Sequence, residues 1–477
     1  ILRIDDTDPT RSTEENVQVI LNAMKWLNLD WDEGPEVGGD AGPYFQTQRF
    51  DTYKDALERL KERGAVYPCF CTKEELDAKR AKAEAEEGGY SGYDRTCRDL
   101  DPKEAQARID AGEPHVWRLK VPLDHGPIEF DDAVYGHVSF PAEVMDDMIV
   151  VRTDGTPTYN FAVVCDDANM GITHVIRGDD HLSNTPRQIL IYEALGYDVP
   201  TFAHLSMILG PDGKKLSKRH GAASVEEFRD RGFLPDAMVN FLALLGWSLD
   251  GETTLIDRET LCREFSLDRI TKKDAVFDET KLEWMNGQYI KEMGAQDWAC
   301  ASVPWLARAR AGVAADAEIS EEEIRETAAD IANRPEFYEK LYPLVAERET
   351  RLTDAAEKLA YMFWGDEVET LDEKSVKKVL LKEGARAEEA LAACRAVLAD
   401  EGNEWSAPVL EAACRKLGDE DALNMKLKFV LQPLRVAVCG NMVSPPLFES
   451  IELLPREDVL ARIDQVTAQV FGDKGAE

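Results

Sequence analysis

Apolar residues recur at Val17, Ile20, Leu21, Met24 and Leu27, the spacing of one helix face, just after a short apolar run, ILRI, and a polar break, DDTDPTR. The run reads as the end of a buried strand. Ser12 with Glu15 reads as a capping box opening the helix. Strand, polar loop and helix in that order make a parallel α/β unit, whose ligand side lies over the loop at the strand's C-terminal end. Between residues 69 and 165 the period shortens. Stretches such as HVWRLKV and HVSF alternate between Gly, Pro and Asp breaks, which predicts an inserted α+β module. The α/β pattern then returns: THVIRGDDHL predicts strand then loop, TPRQILIYEALG a helix stopped by glycine, and TFAHLSMIL a further strand.

From about residue 224 the pattern is helical to the end. PDAMVNFLALLGW is an apolar helix with Pro near its start. EEEIRETAADIA, DAAEKLAYMF, SVKKVLLKEG and EDVLARIDQV are amphipathic. Lys374, Lys378 and Lys382 fall at i, i+4 and i+8, so they are expected on one helix face.

Length and composition narrow this picture. The chain has 477 residues, 44% of them apolar, and a formal net charge of −36. That length fits roughly three domains of ~150 residues. No run approaches the ~18 apolar residues of a membrane span, so no membrane partner is expected. An acidic surface repels nucleic acid, so such a partner would dock on local basic patches. Nine cysteines without a visible secretion signal predict reduced thiols and a cytoplasmic location.

Against that acidity, GPDGKKLSKRHG at 210–221 concentrates Lys214, Lys215, Lys218 and Arg219 between glycines. Glycine lets backbone approach a ligand, and lysine is a mobile point charge for phosphate oxygens. Lysines that close on a departing pyrophosphate would stabilise the transition state selectively. On composition alone, a solvated basic turn remains the alternative.

Position and company sharpen the reading. Lys215, Leu216, Ser217, Lys218 and Arg219 resemble the KMSKS loop of class I aminoacyl-tRNA synthetases, with Leu for Met and Arg for the final Ser. LRIDDTD resembles the RIEDTD segment of the glutamyl and glutaminyl branch. TYNFAVVCDDANMGITHVIRGDDHLSNTPRQ and FDETKLEWMNGQYI are similar to further segments of it. The helical C-terminal half resembles bacterial glutamyl-tRNA synthetases. The fold this implies is an α/β Rossmann-type class I catalytic domain with an inserted α+β module, followed by all-α anticodon-binding domains. Its expected boundaries are catalytic 1–68 and 159–223, an acceptor-binding module at 69–158, a stem-contact helical domain at 224–295, and anticodon-binding domains at 296–370 and 371–477.

The resemblance implies ATP-dependent ligation of L-glutamate to tRNA(Glu), with Mg2+, by a monomer. ATP would be held by the loop 215–219, with Lys215 and Lys218 catalytic. Whether tRNA(Gln) is also charged stays open, and the alternative is a non-catalytic tRNA-binding paralogue. A glutamate site needs arginine for carboxylates and an acid near the ammonium. Arg3, at the end of the first strand with Asp5 two residues on, is a candidate on position. Asp5, Tyr159 and Arg177 match the family's substrate-contacting residues, with Asp5 one methylene shorter than the usual Glu and Tyr159 otherwise a core aromatic. The bland alternatives are ion pairs of Arg3 with Asp6 or Asp8, and of Arg177 with Asp179 or Asp180. Asp179, Asp180 and His181 are expected near ATP or the tRNA terminus. Lys377, Lys426, Lys428 and Arg435 extend the expected tRNA patch, and Arg348 loosely matches an anticodon-reading arginine. Cys69, Cys71 and Cys97 form a cluster that resembles a family zinc site. Tyr93 is a candidate fourth ligand and Asp99 stands in the place of a histidine; metal-free thiols remain open. Finally, the family's HIGH segment is absent ahead of ILRIDDTD. Some 35 to 40 residues are therefore expected to precede it, and adenylate formation by the chain as written is expected to be severely impaired.

Overall fold

The computed structural model describes residues 1–7, 13–85, 92–216 and 224–472, which group into two compact units. The first comprises 1–226 with 239–278. Its helix α1 (Glu14–Trp26) is capped by Thr13, whose hydroxyl accepts the Asn16 N–H at 3.3 Å; the expected cap, Ser12, lies outside the described residues. Then follow α2 (Phe50–Glu62), β1 (Val66–Cys69), α3 (Lys73–Ala85), α4 (Pro102–Asp110), β2 (Val116–Leu119), β3 (Ile128–Asp132), β4 (Gly136–Phe140) and β5 (Ile149–Val151). The alternating segments form an antiparallel β1-β2-β5 sheet and a β3–β4 hairpin.

The parallel pattern returns with α5 (Tyr159–Asn169), β6 (His174–Gly178), α6 (Thr185–Leu195) and β7 (Thr201–Leu205). β6 and β7 pair in parallel, which sets Arg177 opposite His204. α6 ends at Gly196, at φ 72°, a left-handed conformation only glycine adopts freely; a Cβ there would also sit 2.8 Å from an Arg63 nitrogen. Phe161, Val164, Ile191, Leu195 and Phe202 form a core under these elements with Leu60 and Val150. α5 and α6 are apolar on most sides, which buries them against that core. β8 (Ile208–Leu209) pairs in parallel with β9 (Ala275–Val276). ILRI supplies less than the expected strand: among the described residues only Ile4 pairs, bridging Phe45 in parallel.

The second unit, 227–238 with 279–477, is helical and packs around Trp298, Tyr338, Leu341, Leu391, Leu434 and Val459. Ser320 and Glu323 close a reciprocal capping box on helix Glu321–Asn333. One expectation fails here. Lys374, Lys378 and Lys382 do not share an α-helical face, because Glu373–Ser375 is a single turn that passes into a π-helix at Val376–Leu380. Leu381 N–H bonds back to Val376 O, the five-residue step of that geometry. Ser375 is buried there, bonded to Asp372 and to the Met442 N–H. Lys378 and Lys382 still meet Lys428 and Phe429 along one groove of about 570 Å3. Lys377 pairs with Glu373, and Arg435 is tied to Ser444 and Pro445.

Glu349 is 1% exposed; its Oε2 accepts the Trp298 indole N–H at 2.8 Å, while Oε1 is buried without a partner among the described residues. Burial pushes its carboxyl up from 4.5 to about 8. Between those values the native state keeps a proton that the unfolded chain has released, so stability falls as pH rises through that window. Glu349→Gln should therefore raise the thermal midpoint at pH 8, with the gain shrinking toward pH 5. Scanning calorimetry of both chains across that range checks it.

Candidate active site

At the start of the first unit, Arg3 is tied down by acids. Its Nε donates to Asp5 Oδ1 and its Nη1 to Asp167 Oδ1, both at 2.7 Å. Burial works against its charge, yet the bonds and charges of Asp5 and Asp167 more than offset this and hold Arg3 firmly cationic. Asp6, an alternative partner, instead accepts the backbone N–H and hydroxyl of Thr47. Beneath Arg3 lies a fully buried hub. Asp166 takes Arg49 Nε at 2.6 Å, and Gln46 and Tyr53 each at 2.9 Å. α5 builds this arrangement: its apolar residues face the core while its consecutive acids Asp166 and Asp167 meet the two arginines.

Arg177, at the end of β6, is half-buried and differs in kind. Its Nε donates to His204 Nε2 at 3.2 Å and its Nη2 to Thr185 Oγ1 at 2.7 Å. Neither expected alternative pairs with it: Asp179 accepts the Tyr135 hydroxyl at 2.8 Å, and Asp180 pairs with Lys215. Among the described residues Arg177 makes no ion pair. Burial pulls its guanidinium below the ordinary arginine value, with Tyr159 and Asp167 opposing. Tyr159, at the first turn of α5, feels Arg177, Asp5 and Asp167 together; burial pushes its phenol up. The four expected residues Arg3, Asp5, Tyr159 and Arg177 therefore share one electrostatic neighbourhood. Tyr159 also reaches His181, 3.4 Å from its hydroxyl.

The lysine loop follows β8. Leu209 bridges Lys215, and Leu216 N–H returns to Ile208 O at 2.9 Å, so residues 208–216 fold back as a tight turn through Gly213. Lys215 Nζ lies 3.0 Å from Asp180 Oδ2, both side chains about half exposed or more. Ser217, Lys218 and Arg219 lie outside the described residues.

In the inserted module, Cys69, Cys71 and Cys97 bring their sulfurs within 4.8 Å of one another. Cys71 and Cys97 are 3.6 Å apart, close to the ~3.8 Å of two thiolates on one tetrahedral zinc. Tyr93 OH stands 3.2 Å from Cys69 Sγ, while Asp99 is exposed and outside the cluster. Hydrogen bonds from Cys97, Tyr93 and Arg118 outweigh burial and hold the Cys69 thiol far below its usual value. The three thiols fit three of the four positions of a tetrahedral Zn2+, and the Tyr93 hydroxyl, which accepts the Cys97 N–H, lies beside them.

The family model described as tRNA synthetases class I (E and Q), catalytic domain, matches residues 1–284, and an anticodon binding domain model matches 277–467. Glutamate–tRNA ligase 1 of Syntrophomonas wolfei is 42% identical over 98% of this chain and 88% of its own. The Moorella thermoacetica glutamate–tRNA ligase is 43% identical over 98% and 90%. The crystal structure of a glutamate tRNA ligase from Elizabethkingia meningosepticum in complex with its amino acid superposes with a TM-score of 0.82, at 30% identity, over 98% of this chain and 92% of that one. The chain belongs to the glutamate–tRNA ligases, class I aminoacyl-tRNA synthetases. Among the described residues no helix is long and apolar enough to cross a membrane.

In this glutamate–tRNA ligase fold, sequence reasoning missed the side chains that hold the site together. Asp166 and Asp167 carried a signal, since two adjacent acids in the apolar NFAVVCDDAN demand buried cationic partners. His204 and Asp132 carried none. Asp166→Ala would leave Arg49, 1% exposed, without a counter-charge. A loss of about 3–5 kcal/mol is expected, read as a lower urea midpoint for the first unit. An unchanged midpoint would contradict the hub.

Proposed function

We propose that Arg177 grips a carboxylate of L-glutamate, with Arg3 and Asp5 framing the pocket, Tyr159 lining it, and ATP lying under the 215–219 loop. One observation carries this: Arg177 is a half-buried cation whose framework partners are neutral, so its missing counter-charge fits an anionic ligand. Asp5 is satisfied by Arg3, which supports a framing part for it; the pair turns a negative edge toward the substrate ammonium.

The reaction then runs in two steps. A glutamate α-carboxylate oxygen attacks the ATP α-phosphorus, the bond to the β-phosphate oxygen breaks, and pyrophosphate leaves with its electron pair. Mg2+, when bound, offsets phosphate charge. Lys215 leaves Asp180 for the growing charge on pyrophosphate, and Lys218 acts with it. In the second step a hydroxyl of the terminal adenosine of tRNA(Glu) attacks the activated carbonyl, and AMP departs. The 69–158 module takes the acceptor end, 224–295 the stem, and 296–370 with 371–477 the anticodon arm. The groove of Lys378, Lys382 and Lys428 offers positive charge there. None of the nine cysteines is in a disulfide, which supports a reducing, cytoplasmic setting. The enzyme works as a monomer, and parallel charging of tRNA(Glu) and tRNA(Gln) decides its discrimination.

Replacing Arg177 with Met should weaken L-glutamate binding about 10- to 100-fold, the range for hydrogen bonds to a charged group. Equilibrium dialysis with labelled glutamate and tRNA(Glu) reads it, and wild-type affinity in the variant would sink the proposal.

Cys69, Cys71, Cys97 and Tyr93 hold a structural Zn2+ that organises the inserted module. Elemental analysis of protein grown with zinc should give one ion per chain, falling to near zero in Cys71→Ser. Chelation should open residues 69–158 to proteolysis. A wild-type protein without zinc would refute this assignment.

A further inference from the structure

A strand position facing a ligand pocket normally ends in a side chain free to choose its rotamer. Arg177 is not free. Two of its five N–H donors are committed, Nε to His204 Nε2 at 3.2 Å and Nη2 to Thr185 Oγ1 at 2.7 Å. Thr185 Oγ1 is in turn 3.0 Å from His204 Nε2, so its hydroxyl proton is available to the ring. Behind the ring, His204 Nδ1 lies 2.6 Å from Asp132 Oδ2, and both residues are almost wholly buried. The same carboxylate accepts the backbone N–H groups of His204, Val134 and Tyr135. Although burial opposes its charge, these bonds hold Asp132 below the usual carboxylate range, so it is an acceptor.

An acceptor at Asp132 dictates the tautomer. Nδ1 must carry the proton, and in the neutral ring Nε2 must then present a lone pair. Burial holds His204 below the usual imidazole value, which keeps the ring neutral beside the arginine. The ring also stacks on Phe202 at an interplanar angle of 15°, and the Arg177 guanidinium sits over the same Phe202. Position, tautomer and acceptor direction are all fixed before any ligand arrives.

We propose that His204 and Asp132 are positioning residues for Arg177, a buried imidazole–carboxylate pair that aims the guanidinium so that Nη1 and the remaining Nη2 hydrogen face the substrate carboxylate. The pair touches no substrate. It removes rotamers that Arg177 would otherwise lose on binding, which raises affinity by preorganisation. This rests on the reading of Arg177 as the glutamate ligand.

The test is binding of labelled L-glutamate to the full chain with tRNA(Glu), with ATP binding as the control. His204→Phe keeps the ring bulk and removes the acceptor; glutamate should bind about tenfold more weakly and ATP within twofold of wild type. His204→Gln can return a carbonyl oxygen toward Arg177 and should recover affinity to within about threefold of wild type. Asp132→Asn turns an amide N–H toward Nδ1, favours the opposite tautomer and should resemble His204→Phe. Unchanged glutamate affinity in a folded His204→Phe overturns the proposal, as does a Gln variant no better than Phe. If His204→Phe fails to fold, Asp132→Asn with wild-type affinity overturns it instead. Arg177→Met measured alongside separates the two claims. Normal binding there defeats the reading of Arg177 itself, whereas weak binding there with unaffected His204 and Asp132 variants defeats positioning alone.

Discussion

A guanidinium taken out of water must be answered by an anion or by hydrogen-bond acceptors, and this chain gives Arg3 and Arg177 different answers. Arg3 is surrounded by Asp5 and Asp167, with Asp166 3.9 Å away. Its charge is spent inside the protein, so it serves as a frame. Among the described residues Arg177 is given acceptors alone, a neutral imidazole and a hydroxyl, which orient it without cancelling it. The proposed recognition of an acidic amino acid uses a cation of the second kind, and it costs stability to keep one. The buried acids of α5, paired to Arg3 and Arg49, supply the rigid surroundings in which that cost is tolerated.

The lysine loop solves the opposite problem. In a chain of net charge −36, a mobile cation will find an acid, and Lys215 finds Asp180. Both groups are substantially exposed, so the pair is worth only about 0–1 kcal/mol. That weakness suits the proposed transfer of Lys215 to a phosphate. A buried partner would hold Lys215 too firmly to exchange, and no partner would leave the turn at 208–216 unanchored to the turn that follows β6. The contrast between Asp166 and Asp180 is one of solvent: the same functional group is a permanent anchor at 0% exposure and a temporary one at 48%.

Much of this was legible in the sequence, because the period of apolar residues reports which face of an element meets the core. The helix of α6 with its glycine stop, the strand of β7 and the helical second unit follow from that alone. The strand expected of ILRI does not, since strands are made by their neighbours and, among the described residues, Ile4 makes a single isolated bridge to Phe45. The lysine face at 374–382 fails for a local reason, the buried Ser375 and the five-residue bond at Leu381, which periodicity does not encode. At the site, residue types that chemistry demands stood out: arginine at strand ends, lysines between glycines, thiols in a cluster. The pair of His204 with Asp132 did not, as 72 positions separate them and a histidine inside TFAHLSMIL looks like any other strand residue.

That long separation has a structural meaning. Asp132 ends β3, in the region expected to contact the tRNA acceptor end, while His204 and Arg177 belong to the parallel β6–β7 pair. The Ala133 N–H bonds to Phe202 O at 2.8 Å, and Tyr135 reaches Asp179 beside the lysine loop's anchor. The hairpin is thus fastened to β7 by backbone and by carboxylate at once. A hairpin held only by apolar contact could slide by fractions of an ångström without penalty; one whose carboxylate accepts three backbone N–H groups and an imidazole cannot, because any slip strands a buried charge. Through Asp132 the hairpin is therefore tied to the β6–β7 pair at His204, the contact on which the proposed aiming of Arg177 rests.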